Sequence, residues 1–206
     1  MPPGEYQVTA MVDCASEADD RYSDPLTITI GEQQQVIQLY AGWNYVSLYL
    51  DPVSANPYTV FEPVWQYCNY IRAYDAVSGT WLGYNFIDPG FPNTLTDVNL
   101  DWGYWVNMSQ NTTLIIYGEP LEDTSIELVP GCNAVAFKSA EPILLEDALN
   151  VEYESIWTYN NLTGEWQCNV PGGSPSTNNL SELVPGNAYC IYVNNGCTWE
   201  IGSPVP

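Results

Sequence analysis

Histidine is absent, and lysine and arginine together number three (Arg21, Arg72 and Lys138) against 25 aspartates and glutamates. The first absence removes the commonest general base, every Ser-His-Asp or Cys-His relay and every histidine-ligated metal. The second leaves a formal net charge of -22, which repels phosphate backbones and anionic lipid surfaces, so no nucleic acid is expected as a partner. Long apolar runs are missing too. No stretch reaches the roughly 18 residues of a spanning helix, and membrane insertion is not expected. The opening MPPGEYQ carries neither the basic nor the apolar segment of a secretory signal. The six cysteines contain no CxxC spacing, which argues against a zinc site and toward disulfides made in an oxidising compartment. Carboxylate pairs that run glycoside hydrolysis remain conceivable among so many acids, but no pair stands out by position. No catalytic residue is assigned, and a non-enzymatic protein is expected.

What the chain has is repetition. IQLYAGWNYVSLYL from Ile37 matches IELVPGCNAVAFKS from Ile126, and YIRAYDAVSGTWLGYN then matches SIWTYNNLTGEWQCNV at an offset that takes Ile71 to Ile156. LTDVNLDWGYWVNM matches LSELVPGNAYCIYV at the same offset. Three ordered blocks at near-constant spacing mark two copies of one unit. Within them Ile37 and Leu39, then Val46, Leu48 and Leu50, alternate about Gly42 with the period of half-buried strands. Asp75 to Gly79 reads as a turn between aromatic-rich strands. Tyr104 to Met108 and Leu114 to Tyr117 read as two further strands. Asn56-Pro57 is a helix start that Pro63 should keep short, and its counterpart should begin near Pro142 and run through Leu145 to Leu149. The expected fold is all-β: two tandem small β-barrel or sandwich domains with one short helix each, at 35–119 and 120–206, behind an N-terminal β-hairpin at 1–34.

Gly42-Trp43-Asn44, Ile71 to Asp75, Gly79-Thr80-Trp81 and Gly103-Tyr104-Trp105 give the first copy a pattern that resembles a β-repeat of modular secreted and cell-surface proteins of bacteria and archaea. The resemblance covers about residues 36 to 202 and implies an extracellular or surface module with no named activity. The leading segment, with Tyr6, Val8, Ala10 and Val12 answered by Leu26, Ile28 and Ile30, resembles the last hairpin of an immunoglobulin or fibronectin type III-like domain. In the second copy Cys132 replaces the first tryptophan of the repeat and Cys190 the last. If Trp43 and Trp105 pack together in the first core, the two cysteines stand ready for a bridge in the second. Cys168 with Cys197, and Cys14 with Cys68, are the remaining candidate pairs.

Asn107, Asn111, Asn161 and Asn179 each open an Asn-x-Ser/Thr triplet and are glycosylation candidates. Trp65, Trp102, Trp157 and Trp199 fall outside the repeated core pattern and are candidates for an aromatic platform that stacks sugars; the competing assignment is core or seam filling. No cofactor is expected. Calcium is the one metal considered, at Glu17, Asp19 and Asp20 on the leading loop, where a solvated loop tip is the alternative. The sequence thus supports a structural or assembly module outside the cell, such as the subunit of a surface layer, fibre or tube. Its partners would be copies of itself or neighbouring domains. The competing reading is a carbohydrate- or partner-binding module of a longer secreted protein.

Overall fold

The structure is a computed structural model that describes residues 4–8, 11–12, 21–22, 26–30, 33–88, 90–174 and 176–201. The chain divides into two compact units, Met1–Gln33 and Gln34–Pro206. In the first, β1 (Gly4–Val8) pairs antiparallel with β4 (Leu26–Ile30), setting Tyr6 opposite Ile28 and Val8 opposite Leu26. The short strands β2 (Met11–Val12) and β3 (Arg21–Tyr22) pair between them. Cys14, Glu17, Asp19 and Asp20 lie outside the described residues, and with them the expected Cys14–Cys68 bridge and calcium loop.

The second unit contains both copies. The first runs β5 (Gln33–Leu39), β6 (Gly42–Val46), β7 (Leu50–Pro52), α1 (Pro57–Phe61), a 3-10 turn (Glu62–Tyr67), β8 (Cys68–Asp75), β9 (Thr80–Asn85), β10 (Tyr104–Met108) and β11 (Thr112–Pro120). The second runs β12 (Ser125–Leu128), β13 (Gly131–Ala136), β14 (Ile143–Leu144), α2 (Leu145–Ala148), β15 (Ser155–Asn160), β16 (Glu165–Asn169), β17 (Glu182–Leu183), β18 (Ala188–Val193) and β19 (Cys197–Glu200). The principal sheets have the same order under the repeat, β6-β10-β8-β9 and β13-β18-β15-β16. A smaller sheet, β5-β11-β7 in one copy and β12-β19 in the other, lies across each core. The fold is all-β, and no sheet closes into a barrel.

Each copy is framed by a glycine-asparagine clasp. Gly42 and Gly131 take positive φ, 98° and 105°, a region costly for any side chain bearing a Cβ. Two residues on, the buried Asn44 accepts from the Tyr40 N–H at 2.8 Å and donates to the Tyr40 carbonyl at 2.7 Å. Asn133 repeats this on Val129, at 2.9 and 2.8 Å. The clasps ensure that the chain leaves β5 or β12 and enters the principal sheet with its buried polar groups paired. Asn56 caps α1 by accepting from the Tyr58 N–H, and Pro57 occupies its first turn as expected. The second helix starts at Leu145 rather than near Pro142, because Ile143 and Leu144 are held extended against Leu183 and Glu182.

The two principal sheets meet through their outer faces about an approximate twofold. The Ser47 N–H donates to the Gly186 carbonyl and the Ala136 N–H to the Asp101 carbonyl, each at 2.9 Å. The bridges Val46 to Asn187 and Trp102 to Val135 repeat the exchange. The sheets approach closely at Gly103, where a Cβ would stand 2.7 Å from the Ala188 Cβ and 3.1 Å from the Tyr45 ring. Lys138 is buried at this seam, donates to the Ser125 carbonyl at 2.8 Å and forms an ion pair with Asp101 of the other copy.

Candidate functional site

Strand alternation decides which side chains reach the seam. In β10, Tyr104, Val106 and Met108 enter the first core, so Trp105 and Asn107 take the outer face. In β6 the clasp residue Asn44 and Val46 are buried inward, which turns Trp43 and Tyr45 outward beside Trp105 and Asn107, to which they are paired. The hairpin of β8 and β9 adds Arg72, Tyr74 and Trp81 to the same face, with Tyr74 opposite Trp81 and Arg72 opposite Gly83. From the second copy, Tyr159 and Trp166 arrive as a register pair of β15 and β16.

Trp105 is the hub of this cluster. It stacks on Tyr45 with centroids 4.5 Å apart and planes 15° apart. It meets Tyr159 at 5.3 Å, Trp166 at 5.7 Å and Trp43 at 6.4 Å edge to face, the arrangements favoured by ring quadrupoles. Tyr45 is fully buried beneath it, its hydroxyl donating to the Tyr189 carbonyl at 3.1 Å, and burial raises its pKa well above that of a free phenol. The Arg72 guanidinium carbon stands 5.9 Å from the Trp43 ring centroid, within cation–π range. Trp43, Arg72, Trp81, Trp105, Tyr159 and Trp166 enclose a groove of about 480 Å³. The groove is far from closed: Trp43, Trp81 and Trp166 are 40%, 56% and 49% exposed.

Beside the groove lies a second hollow of about 360 Å³, where Cys132 and Cys190 face Tyr74 and Trp81 across the seam. These cysteines form a disulfide with Cα atoms 6.1 Å apart. They sit diagonally across β13 and β18, as Trp43 and Trp105 do across β6 and β10. The expected equivalence of the two pairs therefore holds in register, but the tryptophans pack on the outer face and not in the first core. Cys168 and Cys197 are free thiols and form no bridge. Cys168 stands on β16 of the principal sheet and donates to the Thr177 carbonyl, whereas Cys197 is on β19, opposite Leu128 of the smaller sheet. Cys68 is buried, which pushes its pKa up to about 12.

The four tryptophans proposed as a platform do not form one. Trp199 is wholly buried in the second core, its indole N–H donating to the Ala148 carbonyl at 2.7 Å. Trp102 packs partly buried against the first core. Trp65 is exposed beside Tyr58, 6.5 Å between centroids. Only Trp157 approaches the groove, 6.4 Å from Trp166. Period 2 held the missed signal: Trp43 is out of phase with Val46 and Leu48, and Trp105 with Tyr104 and Val106. Their apolar character argued for core, whereas their phase argued for the outer face.

Of the sequons, Asn111 and Asn179 are exposed, and Asn111 accepts from the Ala41 N–H at 2.9 Å. Asn107 accepts from Asn69 at 2.8 Å and Asn179 from the Cys168 N–H at 2.8 Å. Asn161 is committed to the seam, accepting from the Tyr45 N–H at 2.7 Å. Among the described residues no group of acids, cysteines or histidines is arranged to hold a metal ion, and no helix is long and apolar enough to cross a membrane. A larger hollow of about 660 Å³ beside Asn150 and Cys197 offers no convergence of aromatic or charged groups. Comparison of the chain with protein-family models, with curated proteins and with solved structures found no match.

Proposed function

We propose that this chain is a non-enzymatic extracellular binding module that seats a saccharide ring in the aromatic groove between its two copies. The carrying observation is that Trp43, Trp81 and Trp105 of one copy and Trp166 of the other converge on one open hollow while remaining partly exposed. Exposed large aromatics cost solvation free energy, and their clustering in a concave site is the usual mark of a ligand surface. Indole faces suit the apolar C–H faces of pyranoses, and rigid rings lose little entropy when a ligand binds. The disulfide supports an oxidising, extracellular setting, and the exposed Asn111 and Asn179 are the sequons placed to carry a glycan.

Calorimetry and tryptophan fluorescence against an oligosaccharide panel test this reading. Wild-type protein should bind at least one member with a shift of indole emission, and Trp105→Ala should weaken it by tenfold or more. The idea fails if no saccharide binds, or if the variant binds as the parent does.

Assembly is the second reading, and the pairing of β1 with β4 as a two-stranded sheet favours it, because such ribbons are marginal alone and offer edges for strand addition. Light scattering of the full chain separates the two: ordered polymers support assembly, a persistent monomer supports the binding module.

A further inference from the structure

Within residues 34–201 the cations are Arg72 and Lys138, and they are treated in opposite ways. Lys138 is buried and paired with Asp101. Arg72 is exposed, and no described residue accepts a hydrogen bond or ion pair from it. Its guanidinium is nevertheless placed, lying over Trp43 at the groove wall. It stands opposite Trp105 on one side and opposite Gly83, which has no side chain to crowd it, on the other. The second copy puts Trp157 where the first has Arg72, so the charge marks one end of one groove. Five planar N–H donors without an acceptor, beside partly exposed indoles set edge to face, match a sugar ring bearing a carboxylate.

We propose that the groove takes an acidic saccharide, a pyranose carrying a carboxylate, with Arg72 reading the carboxylate and the tryptophans the ring. This rests on the saccharide reading above and narrows it. A chain of net charge -22 repels polyanions over distance, but that field is screened beyond about 8 Å in physiological salt, whereas a contact pair with Arg72 is not. The fitting ligand is therefore a short saccharide, or the end of one, with a single carboxylate.

The test uses matched disaccharides that differ only at the terminal sugar: glucuronate against glucose, galacturonate against galactose, mannuronate against mannose. Each is titrated into wild-type protein and Arg72→Gln with calorimetric readout. At least one uronate should bind the wild type about tenfold more tightly than its neutral partner, and Arg72→Gln should bring the ratio of the two affinities to about one. Equal affinity of every pair for the wild type would overturn the carboxylate assignment and leave the saccharide reading standing. Binding of no sugar would sink both, and a uronate preference that survives Arg72→Gln would remove Arg72 from its role.

Discussion

The two copies carry different chemistry at one pair of register positions. In the first, Trp43 and Trp105 lie diagonally across two paired strands; in the second, Cys132 and Cys190 occupy the same diagonal and are covalently joined. The frame around them is common to both, down to the asparagine clasps at Asn44 and Asn133. The aromatic pair builds a surface that holds other rings, whereas the cystine clamps its strands and leaves a hollow facing Tyr74 and Trp81. The first copy thus supplies Trp43, Trp81 and Trp105 to the groove, whereas the second adds Tyr159 and Trp166 and carries the cystine that braces its own strands.

Breaking the brace should have the largest effect. The cystine closes a loop of sequence separation 58, which on chain-entropy grounds is worth about 4 kcal/mol. A Cys132→Ser/Cys190→Ser variant should lose most of that in urea denaturation, and reducing agent should destabilise the parent by more than it does the variant. Because the copies share a seam, one cooperative transition should move as a whole. A split into two transitions would show that the copies are energetically independent.

The second prediction asks where the copies should behave alike. Tyr104 and Tyr189 are equivalent buried residues; the first accepts from the Asn99 N–H and the second from the Val184 N–H, each at 2.7 Å. Phenylalanine at either site leaves that N–H unpaired and should cost about 2 kcal/mol in both copies. Burial raises both tyrosine pKa values well above 10. The folded state therefore keeps protons that the unfolded chain releases, so stability is full below about pH 10 and falls above it, by about 1.4 kcal/mol per pH unit for each tyrosine. Each Tyr→Phe variant should flatten that alkaline slope by one tyrosine's share. Unequal slopes would mean that the two cores are not sealed alike.

These equivalences were legible in the sequence because period and spacing survive without knowledge of contacts. The repeat and the Cys132–Cys190 bridge follow from positions compared between copies, and the helix start at Asn56-Pro57 from the capping chemistry of that pair. The groove was not legible for a physical reason. A tryptophan in a strand is equally at home in a core and on an open face, and only its phase against Asn44, Val46 and Tyr104 places it. That phase required accepting a buried polar residue, Asn44, in line with the core, against the usual expectation for asparagine. The Cys168 and Cys197 pairing failed similarly, since adjacency along the repeat does not say which of two sheets a strand joins.

The smallest effect tests the seam itself, where the comparison turns on one methyl group. Gly103 in the first copy corresponds to Ala188 in the second, and a Cβ added at Gly103 would stand 2.7 Å from the Ala188 Cβ, closer than two carbons can approach. Tyr45 cannot swing aside, because its ring is stacked on Trp105 and its hydroxyl is bound to the Tyr189 carbonyl. Gly103→Ala must therefore part the sheets slightly, at an overpacking cost of about 1–3 kcal/mol. The unfolded chain loses about 0.4–1 kcal/mol of conformational freedom in return, so a net loss of about 1 kcal/mol is expected. Ala188→Gly alone should also destabilise, but in the double variant it restores the missing space. The two losses should consequently fail to add. Strict additivity in a denaturation cycle would mean that the sheets do not meet at Gly103, and the groove that depends on their meeting would lose its floor.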